Sequence, residues 1–183
     1  MTYQIAGIVG SLSGSSVNRA LLGGIVQLGA DMGLNIVEAP IADLPLFSQE
    51  READFPAAAR TLKDAIEHAD GIIIVTPEYN RSIPGVLKNA IDWASRPWGQ
   101  NSFAGKPTAI VGGSGGALRT ALAQRHLRDI LSFLDARTVN QPEAYVQMTP
   151  GLLGPDGAVA DPGTRELLTA WLTAFRGLLE QSA

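Results

Sequence analysis

Three short segments concentrate the side chains and glycines that could do chemistry. The first, Gly10-Ser11-Leu12-Ser13-Gly14-Ser15-Ser16-Val17-Asn18-Arg19, carries five small polar side chains (Ser11, Ser13, Ser15, Ser16, Asn18) and two glycines. Hydroxyls and backbone N–H groups at the start of a helix form an anion site, because unpaired donors and the helix dipole both favour negative charge. A phosphate suits such a loop, and a helix N-cap behind a flexible connection explains the same residues equally well. No G-K-[ST] follows and the glycines are not spaced G-x-G-x-x-G, which argues against nucleoside triphosphates and a dinucleotide turn.

The second segment is Thr76-Pro77-Glu78-Tyr79-Asn80-Arg81-Ser82-Ile83-Pro84-Gly85. It combines a stiff proline entry, one planar aromatic and several polar positions. It could wrap a flat heteroaromatic ring, with backbone N–H groups on the ring heteroatoms and Tyr79 over a face; a plain polar strand-to-helix loop is the alternative. The third, Gly112-Gly113-Ser114-Gly115-Gly116-Ala117, satisfies G-x-S-x-G. A nucleophile elbow needs an acid and then a histidine downstream. His126 falls within the helix that this loop feeds and His68 lies upstream, so a serine hydrolase is ruled against. The glycines instead allow backbone to approach a flat ligand closely, with Ser114 as a donor.

These loops need elements to position them. Residues 3–9, 35–39, 71–76 and 107–113 read as apolar strands, and residues 137–140 as a shorter fifth. Residues 17–32, 57–68, 85–94 and 118–134 carry helical spacing, as does a final helix opened by Asp161 or Pro162. Nearly continuous apolar strands alternating with helices predict a parallel sheet covered on both faces. The three loops follow the strands at 3–9, 71–76 and 107–113, so they should meet beyond the carboxyl ends, where such sheets bind ligands. Residues 40–56 form a long irregular stretch of either functional or padding character.

The chain has 183 residues, 45% hydrophobic and 17% charged, which fits a single domain over residues 1–183. Fourteen Lys and Arg against 18 Asp and Glu give a net charge of −4, which disfavours nucleic acid and anionic membranes. Zero cysteines remove disulfides, thiolate nucleophiles and Cys-based metal sites, and two histidines leave no basis for a His-rich metal centre. Residues 1–10 carry no positive n-region and no small-residue cleavage site after a long apolar stretch, and no later window offers ~18 uninterrupted apolar residues, so a cytoplasmic, soluble protein is expected.

With G-S-L-S-G-S-S-V-N-R-A-L at residues 10–21 and T-P-E-Y-N-R-S-I-P-G-V-L-K-N-A-I-D-W at residues 76–93, the chain resembles the NADPH-dependent FMN reductase family of flavodoxin-like proteins. That family includes quinone, chromate and azo-dye reductases. Weaker likeness runs through Gly112 to Gly116 and residues 119–135. The resemblance implies an α/β, flavodoxin-like three-layer sandwich with a five-stranded parallel sheet, bound FMN, and NADPH or NADH as electron donor. It implies that Ser11, Ser13, Ser16, Val17 and Asn18 hold the FMN phosphate. Pro77, Glu78, Tyr79, Asn80 and Ser82 would border the isoalloxazine, and Ser114 and Gly115 would close its other edge. Ser13 stands where many members carry Arg or Lys, and Arg81 where many carry an aromatic residue. The implied activity is FMN-dependent NAD(P)H oxidation with quinones or related small acceptors. A non-enzymatic electron carrier and a regulatory flavin-binding module are the alternatives. The implied assembly is a homodimer or homotetramer through the helices at 85–94 and 119–134, with His126 a packing or subunit-contact residue. Because flavin carries the redox chemistry, no acid–base pair is needed and no catalytic residue is assigned. Amides around Gly115 and Gly116, the positive end of the following helix and Arg119 are expected to stabilise the reduced ring.

Overall fold

Apolar runs without polar alternation become central strands because both of their faces are covered. In the computed structural model, which describes residues 1–182, the elements in chain order are β1 (Tyr3–Val9), α1 (Val17–Ala30), β2 (Leu34–Glu38), α2 (Ala57–Glu67), β3 (Gly71–Val75), α3 (Gly85–Ala94), β4 (Pro107–Ser114), α4 (Ala121–Phe133), β5 (Arg137–Thr138), β6 (Ala144–Gln147) and α5 (Pro162–Glu180). Every strand pairing is parallel, in the order β2-β1-β3-β4-β5, with β6 also on β4.

The fifth position differs from the expected strand at 137–140. Thr138 pairs with Thr108, pairing then lapses, and Ala144–Gln147 resumes along the same edge against Val111–Ser114. Pro142 lies in the gap and has no N–H to donate to a ladder. The sheet therefore has five positions and six strands.

Alternation along the strands sorts the core into two layers. Ile5, Val9, Ile73, Val75, Ala109 and Val111 face α1 and α5, where Leu21, Ile25, Trp171 and Phe175 are buried. Ile8, Ile72, Ile74 and Ile110 face α2, α3 and α4 through Leu62, Ile66, Leu87, Ile91 and Leu127. This is a three-layer, doubly wound arrangement.

Helix ends follow local chemistry. Ser16 caps α1 by accepting from the Arg19 N–H, and Asp161 caps α5 by accepting from the Thr164 N–H, with Pro162 at the first position. The helix expected from 118 starts only at Ala121, because Arg119 sits in the left-handed region at φ 53°. The long stretch at 40–56, with one 3-10 turn at Gln49–Glu52, is clamped to α3. Trp93 Nε1 and Asn89 Nδ2 both donate to the Pro45 carbonyl, Asn89 Oδ1 accepts from the Phe47 N–H, and Phe47 and Phe55 pack edge-on against Trp93.

Candidate functional site

β1 lies between β2 and β3, so the chain leaves it to opposite sides and a crevice opens beyond the strand ends. The loops after β1, β3 and β4 meet there through named contacts. Asn18, 1% exposed, donates from Nδ2 to the Gly113 carbonyl at 3.0 Å and accepts from the Gly113 N–H at 2.9 Å. This two-point pairing ties the first loop to the third. The Asn18 side chain, which the family resemblance assigns to the phosphate, is thus engaged at both its amide nitrogen and its oxygen by Gly113, and its backbone N–H is left as the donor at the helix start.

Arg19 organises the rest of the first loop. Its Nη1 donates to Ser13 O at 2.8 Å, its Nη2 to Ser11 O at 3.0 Å, and its Nε to Glu38 at 3.0 Å. Within the loop, the Ser13 N–H reaches Ser11 Oγ, the Ser15 N–H reaches Ser13 Oγ, and the Ser16 N–H bonds the Ser13 carbonyl. Among the described residues the N–H groups of Leu12, Gly14, Val17 and Asn18 find no acceptor, and a Cβ on Gly14 would meet nothing within 4 Å. Ser11, Ser13, Ser16, Val17 and Asn18 therefore share one turn with four unmatched donors and open space beside it.

The second loop is tighter than its composition announces. Tyr79 and Ser82 exchange two backbone hydrogen bonds of 3.0 Å, and Asn80 and Arg81 lie at φ 51° and 65°, the signature of a type I′ two-residue hairpin. Directly paired residues put their side chains on one face, so Tyr79, half exposed, and Ser82 point the same way. Ser82 Oγ lies 2.9 Å from His126 Nδ1, which gives that histidine a loop-positioning contact. Glu78 turns to α4, where its Oε2 accepts from the N–H groups of Leu122 and Ala123 at 2.9 and 3.1 Å. Thr120, the N-cap of α4, supplies no side-chain cap, and Glu78 fills that role from another loop. Pro77 packs against the first loop: a Cβ on Gly10 would come within 3.4 Å of its ring.

In the third loop, Gly112 and Gly113 are required by packing. A Cβ at Gly112 would collide with the Thr76 carbonyl, and one at Gly113 would lie 2.7 Å from Met148 Sδ. Gly115 and Gly116 instead have room around them. Ser114 Oγ accepts from the Gly116 N–H, the Gly115 carbonyl accepts from Gln147 Nε2, and the Gly115 N–H is without an acceptor. The expected use of the positive end of α4 toward this loop is not realised, since Glu78 occupies it. Arg119, expected within a helix from 118 and one turn onward from the loop, precedes the helix and donates to Tyr145 O at 2.7 Å. Burial and the adjacent Glu143 carboxylate push the Tyr145 hydroxyl up to about 12, so it stays protonated at neutral pH.

Glu78, Asn80, Arg81, Ser114, Gly116 and Arg119 line a cleft of about 340 Å³ between the second and third loops. A larger depression of about 580 Å³ along α5, past Pro162, Arg165 and Thr169, meets none of the three loops. No cluster of three or more metal-ligating side chains occurs among the described residues. Arg19, Gln147 and the capping role of Glu78 were not read from the sequence. Arg19 lies inside the quoted motif, and its pairing with Glu38 becomes visible only once β1 and β2 lie side by side.

The profile of the NADPH-dependent FMN reductase family matches residues 3–150. The chain belongs to that family. It is 46% identical over 176 residues to a 2-hydroxy-1,4-benzoquinone reductase of a Burkholderia species, covering 96% of this chain and 95% of that protein. It is 42% identical over 182 residues to a quinone reductase of Escherichia coli, covering 97% and 96%. Among solved structures, the flavoenzyme NAD(P)H:(acceptor) oxidoreductase FerB from Paracoccus denitrificans superposes with a TM-score of 0.94 at 40% identity, covering 98% of both chains.

Proposed function

We propose that this member of the FMN reductase family is an FMN-dependent NAD(P)H oxidoreductase whose acceptors are quinones, as the names of the Burkholderia and Escherichia coli relatives state for those proteins. The observation that carries the reading is the β1–α1 turn. Four N–H groups there have no acceptor among the described residues, and Asn18 ties the turn to a third loop with open space at Gly115 and Gly116. A phosphate needs such a donor set and a flat ring needs such a cleft, so the residues present fit FMN. The N–H groups of Leu12, Gly14, Val17 and Asn18, with the hydroxyls of Ser11, Ser13 and Ser16, hold the phosphate. Pro77, Glu78, Tyr79, Asn80 and Ser82 border one side of the ring and Ser114 and Gly115 the other. FMN, when bound, supplies the electron and hydride chemistry. The chain's own part is placement: Arg19 shapes the phosphate turn, Asn18 fixes its distance from the third loop, and Glu78 locks the second loop to α4. The net charge of −4 is mild for a carrier that docks to partner proteins through an acidic surface.

A second copy of the chain completes the assembly. Trp98 and Phe133, 77% and 79% exposed, flank grooves between α3 and α4 lined by Ile91, Ser95, Ile130 and Leu134. Large exposed aromatics beside an apolar groove mark an interface. The test of the activity is steady-state oxidation of NADH and NADPH by the FMN-loaded protein with 1,4-benzoquinone and no partner protein. Saturable turnover supports the proposal, and nucleotide oxidation only when a carrier protein is added overturns it.

A further inference from the structure

The geometry points to Arg81, supported by Arg119, as a cationic clamp that selects acceptors carrying negative charge on their own ring: acidic hydroxyquinones in preference to neutral quinones. This inference rests on the quinone reading above. Arg81 occupies the second hairpin position at φ 65°, a conformation costly for any residue but glycine and concentrated at functional sites. Its side chain is 66% exposed and makes no hydrogen bond among the described residues; Glu78 pairs with it loosely, Oε1 lying 3.6 Å from Arg81 Nη1 while Oε2 accepts from α4. Arg119, also left-handed at φ 53°, lines the same cleft and keeps Nη2 free. The cleft therefore carries two cations against the one, 7% exposed, carboxylate of Glu78, although the whole chain is at −4.

A hydroxyquinone ionises to a vinylogous carboxylate, planar, with its charge shared between ring oxygens. That is the shape a guanidinium fork matches, whereas a neutral quinone offers only carbonyl acceptors. Arg81 shares the cleft with Ser114, one of the two groups placed at the ring edge, so an acceptor ring lying there brings its own charge to Arg81.

The test uses the FMN-loaded protein, with 2-hydroxy-1,4-naphthoquinone as the anionic probe and 1,4-naphthoquinone as the neutral one. Equilibrium binding is followed without nucleotide by perturbation of flavin absorbance. Arg81→Gln raises the Kd of the hydroxy probe roughly five- to tenfold relative to the neutral probe, and the ratio of kcat/KM values falls by the same factor. Arg81→Lys, which shares the strained backbone and keeps the charge but loses the fork, gives a preference between those of the wild type and Arg81→Gln. Arg125→Gln, on an exposed arginine that does not line the cleft, leaves the ratio unchanged. An equal loss for both probes, an unchanged ratio, or a loss confined to the kcat/KM of NADPH overturns the assignment. Tight, Arg81-dependent binding of the hydroxy probe without turnover of either quinone would leave the clamp standing and refute the quinone reductase reading instead.

Discussion

Replacing Asn18 by alanine removes both hydrogen bonds between α1 and Gly113 in one step. The site is buried, so water cannot reach the Gly113 N–H and carbonyl that are left behind. A stranded buried backbone group costs roughly 1–3 kcal/mol, and two of them about 2–5 kcal/mol, less whatever local collapse recovers. For a chain of this size that corresponds to a fall in Tm of roughly 5–15 °C. Urea unfolding of the FMN-free protein measures it directly, and an unchanged m value shows that the change lies in stability. Asn18→Asp keeps an acceptor for the Gly113 N–H but sets a carboxylate against the Gly113 carbonyl, so it should be at least as damaging. FMN affinity should fall in both variants, because the first and third loops lose their fixed spacing. A stability loss below about 1 kcal/mol would refute this account of Asn18. Weakened FMN binding at undiminished stability would mean instead that the amide contacts the phosphate itself.

Ser16→Ala removes a hydroxyl from the phosphate turn and the cap from α1; it should weaken FMN binding about tenfold and lower stability by about 1 kcal/mol, read by fluorescence titration and urea unfolding. Phe133→Asp places a charge on the exposed apolar patch of α4 and should convert a dimer to monomers in light scattering; a wild-type protein that is active as a monomer at assay concentration removes the second copy from the account. Tyr145 ionises near 10 when unfolded but at about 12 when folded. Between those values the unfolded chain holds fewer protons, so stability should fall as pH rises from 10 to 12. Ultraviolet titration should show a tyrosine step near 12, and Tyr145→Phe should abolish it.

The fold was legible wherever hydrophobic period and burial coincide. Gly71–Val75 is apolar throughout because α-helices cover it on both sides, and the βα loops after three such strands had to share one end of the sheet. The edge was less legible: Ala144–Gln147 has four residues beside Pro142, too few for a period of two to stand out. In the site, small polar residues marked the right loops but not their division of labour. Asn18 and Ser16 are both two-way hydrogen-bonding side chains at a helix start, and only tertiary pairing with Gly113 separates a spacer from a phosphate ligand. Glu78 likewise reads as a ring neighbour until α4 is seen to begin without a cap of its own. Arg119 was misplaced because a left-handed turn delays that helix, and no residue type in Leu118-Arg119-Thr120 announces one.

The most direct test of the central claim, that the unmatched donors of the β1–α1 turn hold a flavin phosphate, is a titration of the FMN-free protein with FMN and with riboflavin, followed by quenching of flavin fluorescence. Several charge-assisted hydrogen bonds to a phosphate, each roughly 1.5–3 kcal/mol before solvent screening, predict one FMN per chain and riboflavin bound at least about a hundredfold more weakly. Equal affinity for the two flavins, or no saturable FMN binding, would contradict it.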